Sequence, residues 1–398
     1  MGRGLNISFA HKQNRSLLLR LILQHPKISR AKLAEMTQLT PSSVSNITGS
    51  LIKERYVHEI GALDEIRSAG RRSIGLEIRN GSHYRVAVHM QGHDVSIGIG
   101  NLDGSVCHQS HLVLPDRPNP EHIARDLAEI IKTKIQSLSN AQILGIGVGT
   151  SGIVDTEAGM IYASLAYQWQ RVPWASLLAS ETGLPVVVDN NARAMALAEM
   201  LFGGMAKSEW LAFFYAGQGI GLGVLADGKM FSGGHGIGGE LGHITISWKG
   251  ESCWCGNVGC LETFLNQSRI ETILGLGKGG SICDGLQTLY RQGAYFDVVD
   301  LVATALVGVV NIFNPRIIVL GGWLADAWPL LHEDVRNVIR SRTRFWNDLP
   351  AEIRPSIFGE DVGVKGANAV ALGRWIYGLS PRPYEESLED TSVNPLLT

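Results

Sequence analysis

The chain has 398 residues, 45% hydrophobic and 18% charged, with a net charge of −2; it is ordinary globular material, long for one core, and two or three domains are expected. Five cysteines, an odd and sparse count, argue against a disulfide scaffold and for a reducing compartment. The opening Met1-Gly2-Arg3-Gly4-Leu5-Asn6 lacks an apolar core of signal-peptide length, and no run reaches the roughly 18 apolar residues of a membrane span, so a soluble, cytoplasmic protein without a span is expected.

The small net charge hides an asymmetry. Residues 1–80 carry 13 Lys+Arg against 6 Asp+Glu, leaving 22 against 31 for the remainder. A segment of +7 joined to a body of −9 is a plausible footprint of nucleic-acid binding.

The pattern of the first 80 residues points the same way. Arg15 to Gln24 carries Leu17, Leu18, Leu21 and Ile22 at helical spacing, and His25-Pro26 stops the helix. Ser29 is placed to cap a short second helix, Arg30 to Met36, with Leu33 and Ala34 inward. Thr40-Pro41 then reads as a cap followed by proline in the first turn of a third helix, whose buried stripe is Val44, Ile47 and Leu51. Two short helices joined by a tight turn make a helix-turn-helix. The exposed face of the third helix is Ser42, Ser43, Ser45 and Asn46, with Thr48 a further candidate; these short polar side chains suit base edges and phosphates, and Asn46 suits adenine. Tyr56 to Ile60, Gly70-Arg71-Arg72 and Ser73 to Ile78 form a β-wing whose tip carries Arg71 and Arg72 for the minor groove or the phosphates.

From about residue 84 strands and helices alternate. Val86-Ala87-Val88-His89-Met90-Gln91-Gly92 runs on to Ile97–Gly100 and Leu102-Asp103-Gly104. Leu211-Ala212-Phe213-Phe214-Tyr215-Ala216-Gly217 runs on to Gly221–Val224 and Ala226-Asp227-Gly228. Each reads as strand, glycine turn, strand, then a turn at Asp-Gly. A unit repeated about 125 positions apart implies two homologous lobes with a ligand cleft between them. Between the repeats, the strand Ile143 to Val148 ends in Gly149-Thr150-Ser151-Gly152. The strand Pro185 to Val188 ends in Asp189-Asn190-Asn191-Ala192-Arg193, before a helical run from Ala194 to Leu201. Later, Asn311–Pro315 leads into Ile317 to Leu320 and Gly321-Gly322. Strand ends of this kind face ligands in α/β folds.

The most informative segment follows the second repeat. His243 precedes Cys253-Trp254-Cys255-Gly256-Asn257-Val258-Gly259-Cys260, and one imidazole with three thiols at this spacing fits a closed tetrahedral zinc site. Glu240 and Glu262 flank it, and carboxylates accept hydrogen bonds from vicinal hydroxyls, so a small polyhydroxylated ligand is expected beside a structural Zn2+.

Taken together, the winged helix-turn-helix, the two lobes and the block from Glu240-Leu241-Gly242-His243 to Cys260-Leu261-Glu262 resemble the ROK family of repressors, open reading frames and kinases over nearly the whole chain. The resemblance implies an α/β fold: a winged helix-turn-helix domain over residues 1–80, a two-lobed actin-like ATPase (ribonuclease-H-like) body over 81–380, and a flexible tail over 381–398. It also implies that His243, Cys253, Cys255 and Cys260 bind zinc while Glu240, His243 and Glu262 contact a sugar, a double duty open to a ring with two nitrogens.

The departures from the family pattern set the functional expectation. Family kinases open the fold with Asp-x-Gly-Gly-Thr, where this chain has His89-Met90-Gln91-Gly92-His93, and their Gly-Thr-Gly is Gly217-Gln218-Gly219 here. ATP is therefore not expected to bind. Their Asn-Asp-Ala, which supplies the general base, is Asn190-Asn191-Ala192, and the Asn191 amide has no basic lone pair. No catalytic residue is assigned. Gly152, Asn190 and Asn191 complete a pocket that holds a sugar or sugar phosphate without phosphorylating it. The expected protein is a bacterial, cytoplasmic regulator, nucleoid-associated when bound to DNA. It is a homodimer or dimer of dimers on a two-fold operator, most plausibly a repressor of carbohydrate uptake or catabolism genes. The alternatives are an ATP-dependent sugar kinase with an appended DNA-binding domain, or control by a protein partner.

Overall fold

The computed structural model describes residues 7–62, 73–138, 142–204, 210–234, 236–344 and 346–379. Arg71, Arg72 and the 381–398 tail, assigned above to a wing tip and a flexible segment, lie outside the described residues.

The N-terminal unit comprises α1 (Ile7–Gln24), β1 (Ile28–Ser29), α2 (Arg30–Thr37), α3 (Pro41–Lys53), β2 (Val57–Ala62) and β3 (Ile74–Ile78), with the strands antiparallel in the order β1-β3-β2. Its caps follow from sequence: Ser29 Oγ accepts from Lys32 N at 3.2 Å, and Thr40 Oγ1 accepts from Ser43 N at 3.2 Å with Pro41 in the first turn. Leu18, Ile22, Leu33, Val44, Ile47, Leu51, Val57 and Leu76 are buried together. Helix α1 begins well before Arg15. Polar His11-Lys12-Gln13-Asn14 carries no apolar stripe for periodicity to detect, yet contains no residue that breaks a helix. Thr48 is not on the exposed face: it is buried, its hydroxyl accepting from Arg30 Nε at 2.9 Å and donating to Val44 O at 2.8 Å. A short β-branched hydroxyl residue buries cheaply by bonding back to the preceding turn, so a polar residue next to the stripe need not face outward.

The body repeats one topology. The first half contains β4 (His83–Gln91), β5 (Asp94–Gly100), β6 (Val106–Val113), α4 (Pro120–Gln136), β7 (Gln142–Thr150), β8 (Ile153–Asp155), β9 (Met160–Ser164), β10 (Trp169–Val172), α5 (Trp174–Thr182) and β11 (Val186–Asn190). Helix α6 (Asn191–Phe202) leads into β12 (Trp210–Ala216), β13 (Ile220–Ala226) and β14 (Lys229–Met230). Then come α7 (Leu261–Leu265), α8 (Gln267–Ile273), α9 (Ile282–Thr288), α10 (Gly293–Phe313), β15 (Ile317–Gly322), α11 (Trp323–Arg342), β16 (Glu352–Pro355) and α12 (Val362–Trp375). One sheet runs β6-β5-β4-β7-β11 and the other β14-β13-β12-β15-β16. In each, three antiparallel strands are followed by two parallel ones, so the duplication predicted from the repeated strand-turn-strand is present in full.

Helices α6 and α12 lie between the two sheets, α12 against β4 and β7, α6 against β12 and β13, and each against the other. Glycine permits each approach. A Cβ on Gly147 would stand 2.1 Å from Ala367 O, one on Gly366 2.9 Å from the carbonyl carbon of Ala194, and one on Gly223 2.3 Å from Ala192 O. The N-terminal unit shares its core with this helix pair: Leu18 and Ile22 belong to one apolar cluster with Ala198, Leu201, Val370 and Tyr377. Ser16 Oγ donates to Ile376 O at 3.0 Å, and the Tyr56 ring stacks on His83 at 4.1 Å.

Helix α10 meets the length and mean apolarity of a membrane-crossing helix, although Asp297 and Asp300 break its apolar run. Its Val298, Val302, Leu306 and Val309 are buried in the core of the second half.

Because Gly366 meets backbone, Gly366→Leu is expected to destabilise the protein by roughly 1–3 kcal/mol or more through overpacking, seen as a lowered urea midpoint. An unchanged midpoint would show that the helix pair is loosely packed.

Candidate functional site

A cavity of about 250 Å³ opens where the strand ends of the two sheets converge. The structure brings Gly152, Asn190, Asn191, Glu240, His243 and Glu262 together in its wall. Asn190 caps α6: its Oδ1 accepts from Ala192 N at 2.9 Å and its Nδ2 donates to Gly152 O at 2.9 Å, so both ends of this amide are engaged by backbone. Asn191 donates from Nδ2 to Met90 O at 3.0 Å and to Ser151 Oγ at 3.3 Å. Since the Met90 carbonyl can only accept, the amide orientation is fixed, and Asn191 Oδ1 is left buried without a hydrogen-bond partner.

One turn into α6, Arg193 pairs with Asp189 at 2.6 Å while almost fully buried. Its other nitrogens donate to Val154 O at 2.8 Å and Gly236 O at 2.9 Å, stapling β8 and the glycine-rich loop before Glu240 to the helix. Sequence reasoning quoted Arg193 only as part of a run. The i,i+4 spacing of Asp189 and Arg193 was the available signal.

The two carboxylates differ in environment. Glu262 is held at both oxygens: Oε2 accepts from Ile220 N at 3.0 Å and Oε1 from Trp254 Nε1 at 2.7 Å. Glu240 is pushed up to about 7 by burial, with Arg193 opposing the shift and Glu262 adding to it. Trp254, between Cys253 and Cys255, lies edge-on to His243 with ring centres 5.0 Å apart. It joins the metal-binding segment to the cavity, a role that sequence reasoning did not assign.

His243, Cys253, Cys255 and Cys260 bring their ligand atoms within 4.8 Å of one another. Cys253 Sγ is 3.6 Å from His243 Nδ1 and Cys255 Sγ is 3.7 Å from Cys260 Sγ. These match the edges, about 3.8 Å, of a tetrahedron with metal–sulfur bonds near 2.3 Å. Asn257 Nδ2 donates to Cys260 Sγ at 3.4 Å, the outer-shell contact a metal-bound thiolate accepts. The cluster is able to hold a metal ion.

Behind the cavity His89 is buried with Nε2 unpaired, and burial lowers its imidazole to about 4, so the ring is neutral at physiological pH. Its ring fills the space over Gly363 at the start of α12, where a Cβ would come within 2.2 Å. Gln91 Nε2 donates to Tyr215 OH across the cleft, and both line a second space of about 240 Å³ that includes His89, Gly321, Gly322 and Asp326. A further cavity of about 890 Å³ lies between the end of α1 and the end of α6 and contains none of the predicted ligand groups.

At the N-terminal unit, Ser42, Ser45 and Asn46 are exposed on α3, whereas Ser43 is half-buried with its hydroxyl 2.9 Å from Thr40 Oγ1.

Two sheets of identical topology around a ligand-sized cleft define the actin-like, sugar-kinase type of α/β fold. The chain belongs to the ROK family, whose sequence profile matches residues 85–374. It is 30% identical over 363 residues to the xylose repressor of Caldicellulosiruptor bescii (strain ATCC BAA-1888 / DSM 6725 / KCTC 15123 / Z-1320), covering 84% of this chain and 90% of that protein. It is 29% identical over 367 residues to the DNA-binding transcriptional dual regulator NagC of Escherichia coli (strain K12), covering 87% and 89%. Among solved structures it resembles a ROK family transcriptional regulator described as a homolog of the E. coli MLC protein, with a TM-score of 0.73, 26% identity, and coverage of 93% of this chain and 98% of that one.

Glu240 yields a signed pH prediction. Its folded value near 7 lies above the ordinary carboxylate value of 4.5, so the folded state holds the proton more tightly; the stability this confers is full below the unfolded value and is lost as pH rises to about 7. Glu240→Gln is expected to match wild type near pH 4.5 and to melt roughly 2–4 °C higher than wild type at pH 8. Parallel curves at the two pH values would contradict the buried, protonated carboxyl.

Proposed function

We infer that the protein is a sugar-responsive transcriptional repressor of carbohydrate uptake or catabolism genes, acting in the bacterial cytoplasm and on the nucleoid when DNA-bound. One observation carries the inference: the cavity keeps both carboxylates while the position of the proton-accepting aspartate is Asn191, tied to Met90 O. A pocket so built binds hydroxyls and lacks the aspartate that serves as general base in the kinase pattern. In this reading the protein is a regulator and not an enzyme, Gly152, Asn190, Asn191, Glu240, His243 and Glu262 form the sugar site, and ATP is not expected as a ligand because His89-Met90-Gln91-Gly92-His93 and Gly217-Gln218-Gly219 depart from the phosphate motifs of the kinases. The fit of the thiol and imidazole edges to a tetrahedron supports a structural Zn2+ on His243, Cys253, Cys255 and Cys260.

Residues 1–80 then act as a winged helix-turn-helix, with α3 in the major groove through Ser42, Ser43, Ser45 and Asn46, and Arg71 and Arg72 on the minor groove or phosphates. Residues 81–380 form the sensing body. A single such unit reads one half-site, so the working form is a homodimer, or a dimer of dimers, on a two-fold operator.

A gel shift with DNA upstream of the gene itself, repeated with a sugar panel, tests the inference. Binding is expected to change with one sugar and to weaken about uniformly across sequences in Arg71→Ala and Arg72→Ala, with a smaller salt slope; no retarded band on any candidate operator would refute it. Metal analysis is expected to give one equivalent of zinc for the wild type and a loss of it for Cys255→Ser, and full retention would refute the ligand set. A coupled phosphoryl-transfer assay is expected to show no turnover in the wild type or in Asn191→Asp.

A further inference from the structure

Where the N-terminal unit sits on the body, the fold buries positive charge that it does not pair. Arg85, on β4, is 0% exposed. Its Nε donates to Asn368 Oδ1 at 3.3 Å and its Nη1 to His83 O at 3.2 Å, both neutral acceptors, and its Nη2 has no partner. Among the described residues Arg85 forms no ion pair, whereas the similarly buried Arg193 holds Asp189 at 2.6 Å. Asp103, the acid whose charge reaches Arg85, is engaged elsewhere: its Oδ1 accepts from Ser105 N and Oγ and its Oδ2 from Asn80 Nδ2. Burial pushes the guanidinium down to about 10, still above physiological pH, so the charge is kept.

This charge lies at the junction of the two units. His83 and Arg85, two positions apart, share a face of β4, and Tyr56 of the N-terminal unit stacks on the His83 ring at 4.1 Å. Tyr377, beyond the end of α12, acts electrostatically on Arg85 and belongs to the apolar cluster of Leu18 and Ile22 from α1. The α1 side repeats the pattern. Ser16 Oγ donates to Ile376 O, and Leu23 and Gln24 line the cavity of about 890 Å³ that separates the ends of α1 and α6. Between them, on the same helical face, Arg20 has a buried Nε without a partner and, among the described residues, no ion pair. Burial lowers its guanidinium as well.

A buried charge without a counter-charge, a buried donor without an acceptor and an unfilled space each raise the free energy of the arrangement that contains them. All three occur at this one junction, and separation of the units returns water to each. We propose that Arg85 and Arg20 form a release charge built into the seat of the N-terminal unit, holding the docked arrangement close in free energy to an undocked one. A small difference in ligand or DNA affinity between the two arrangements then decides which is populated. The proposal goes beyond the sugar-sensing reading and is tested without sugar or DNA, so either can fail alone.

The test is hydrogen–deuterium exchange and thermal unfolding of the full-length protein and of Arg85→Gln. The glutamine Nε2 takes the place of the arginine Nε toward Asn368 Oδ1 while the charge is removed. Arg85→Gln is expected to melt about 2 °C or more above wild type. Backbone amides of residues 14–24 and 374–378 are expected to exchange roughly tenfold more slowly, with those of β12 and β15 unchanged. Arg85→Lys keeps the charge and is expected to bring no gain. Arg20→Met, which removes the second cation and its unpaired donor, is expected to slow the same junction amides even if Arg85→Gln does not fold. A lowered melting temperature in both charge-removing variants, or protection that rises equally throughout the chain or nowhere, would overturn the proposal. A gain in Arg85→Lys equal to that in Arg85→Gln would refute its electrostatic basis.

Discussion

The body depends on how closely two helices and two sheets approach one another. With Gly147, Gly366 and Gly223 at successive interfaces, sheet, α12, α6 and sheet stack with backbone nearly touching backbone. Around these close approaches Met195, Leu197, Val370 and Leu372 of the two helices pack in one apolar cluster, so α6 and α12 set the spacing of the two halves together. Everything that needs both halves at once, above all the cleft, is therefore set by the position of α6. That is where the polar fastenings concentrate: Asn190 caps the helix, Asn191 ties it to β4, and Arg193 ties it to β8 and to the loop before Glu240.

The same helix reaches the N-terminal unit. Its twelve residues span about 18 Å at 1.5 Å per residue. The first lies in the cavity wall, and Ala198 and Leu201 share a core with Leu18 and Ile22 of α1. In the proposed repressor a ligand that binds one position of α6 more tightly than another biases the α1 surface by that same difference in free energy, and DNA biases the cleft reciprocally. The metal cluster serves the other wall. A short segment without regular structure carries Trp254 into the cavity, where its indole orients Glu262, and in the proposed zinc form cross-linking by four ligands gives that segment a fixed shape.

Much of this was legible in the sequence because the signals were local. Ser29 and Thr40 announce their helices through side-chain caps, the duplicated strand-turn-strand exposes the two halves, and the spacing of His243 and its three cysteines points to the cluster that the fold gathers within 4.8 Å. What escaped depends on contacts between distant segments. The unpaired oxygen of Asn191 is defined by Met90, about 100 positions away, and the Gln91 to Tyr215 bond spans the two halves. Thr48 was placed on the wrong face because a threonine that bonds to its own preceding turn hides its polarity from any count of exposed residues. The strand β1, two residues long, is formed by pairing with β3 and carries no periodicity of its own.

The exchange of a carboxylate for an amide at Asn191 has a mechanical side as well as a chemical one. An ionised aspartate could take a proton from a hydroxyl but could not donate to the Met90 carbonyl, which would then face an acceptor across the cleft floor. The amide satisfies that carbonyl and fixes α6 to β4, while its oxygen stays buried without a partner. One substitution thus removes the base and strengthens the joint between the ligand pocket and the helix that leads to α1. In the proposed repressor the missing base and the firmer joint arise at the same atom pair, Asn191 and Met90, so that a cleft of the kinase type favours transmission over reaction.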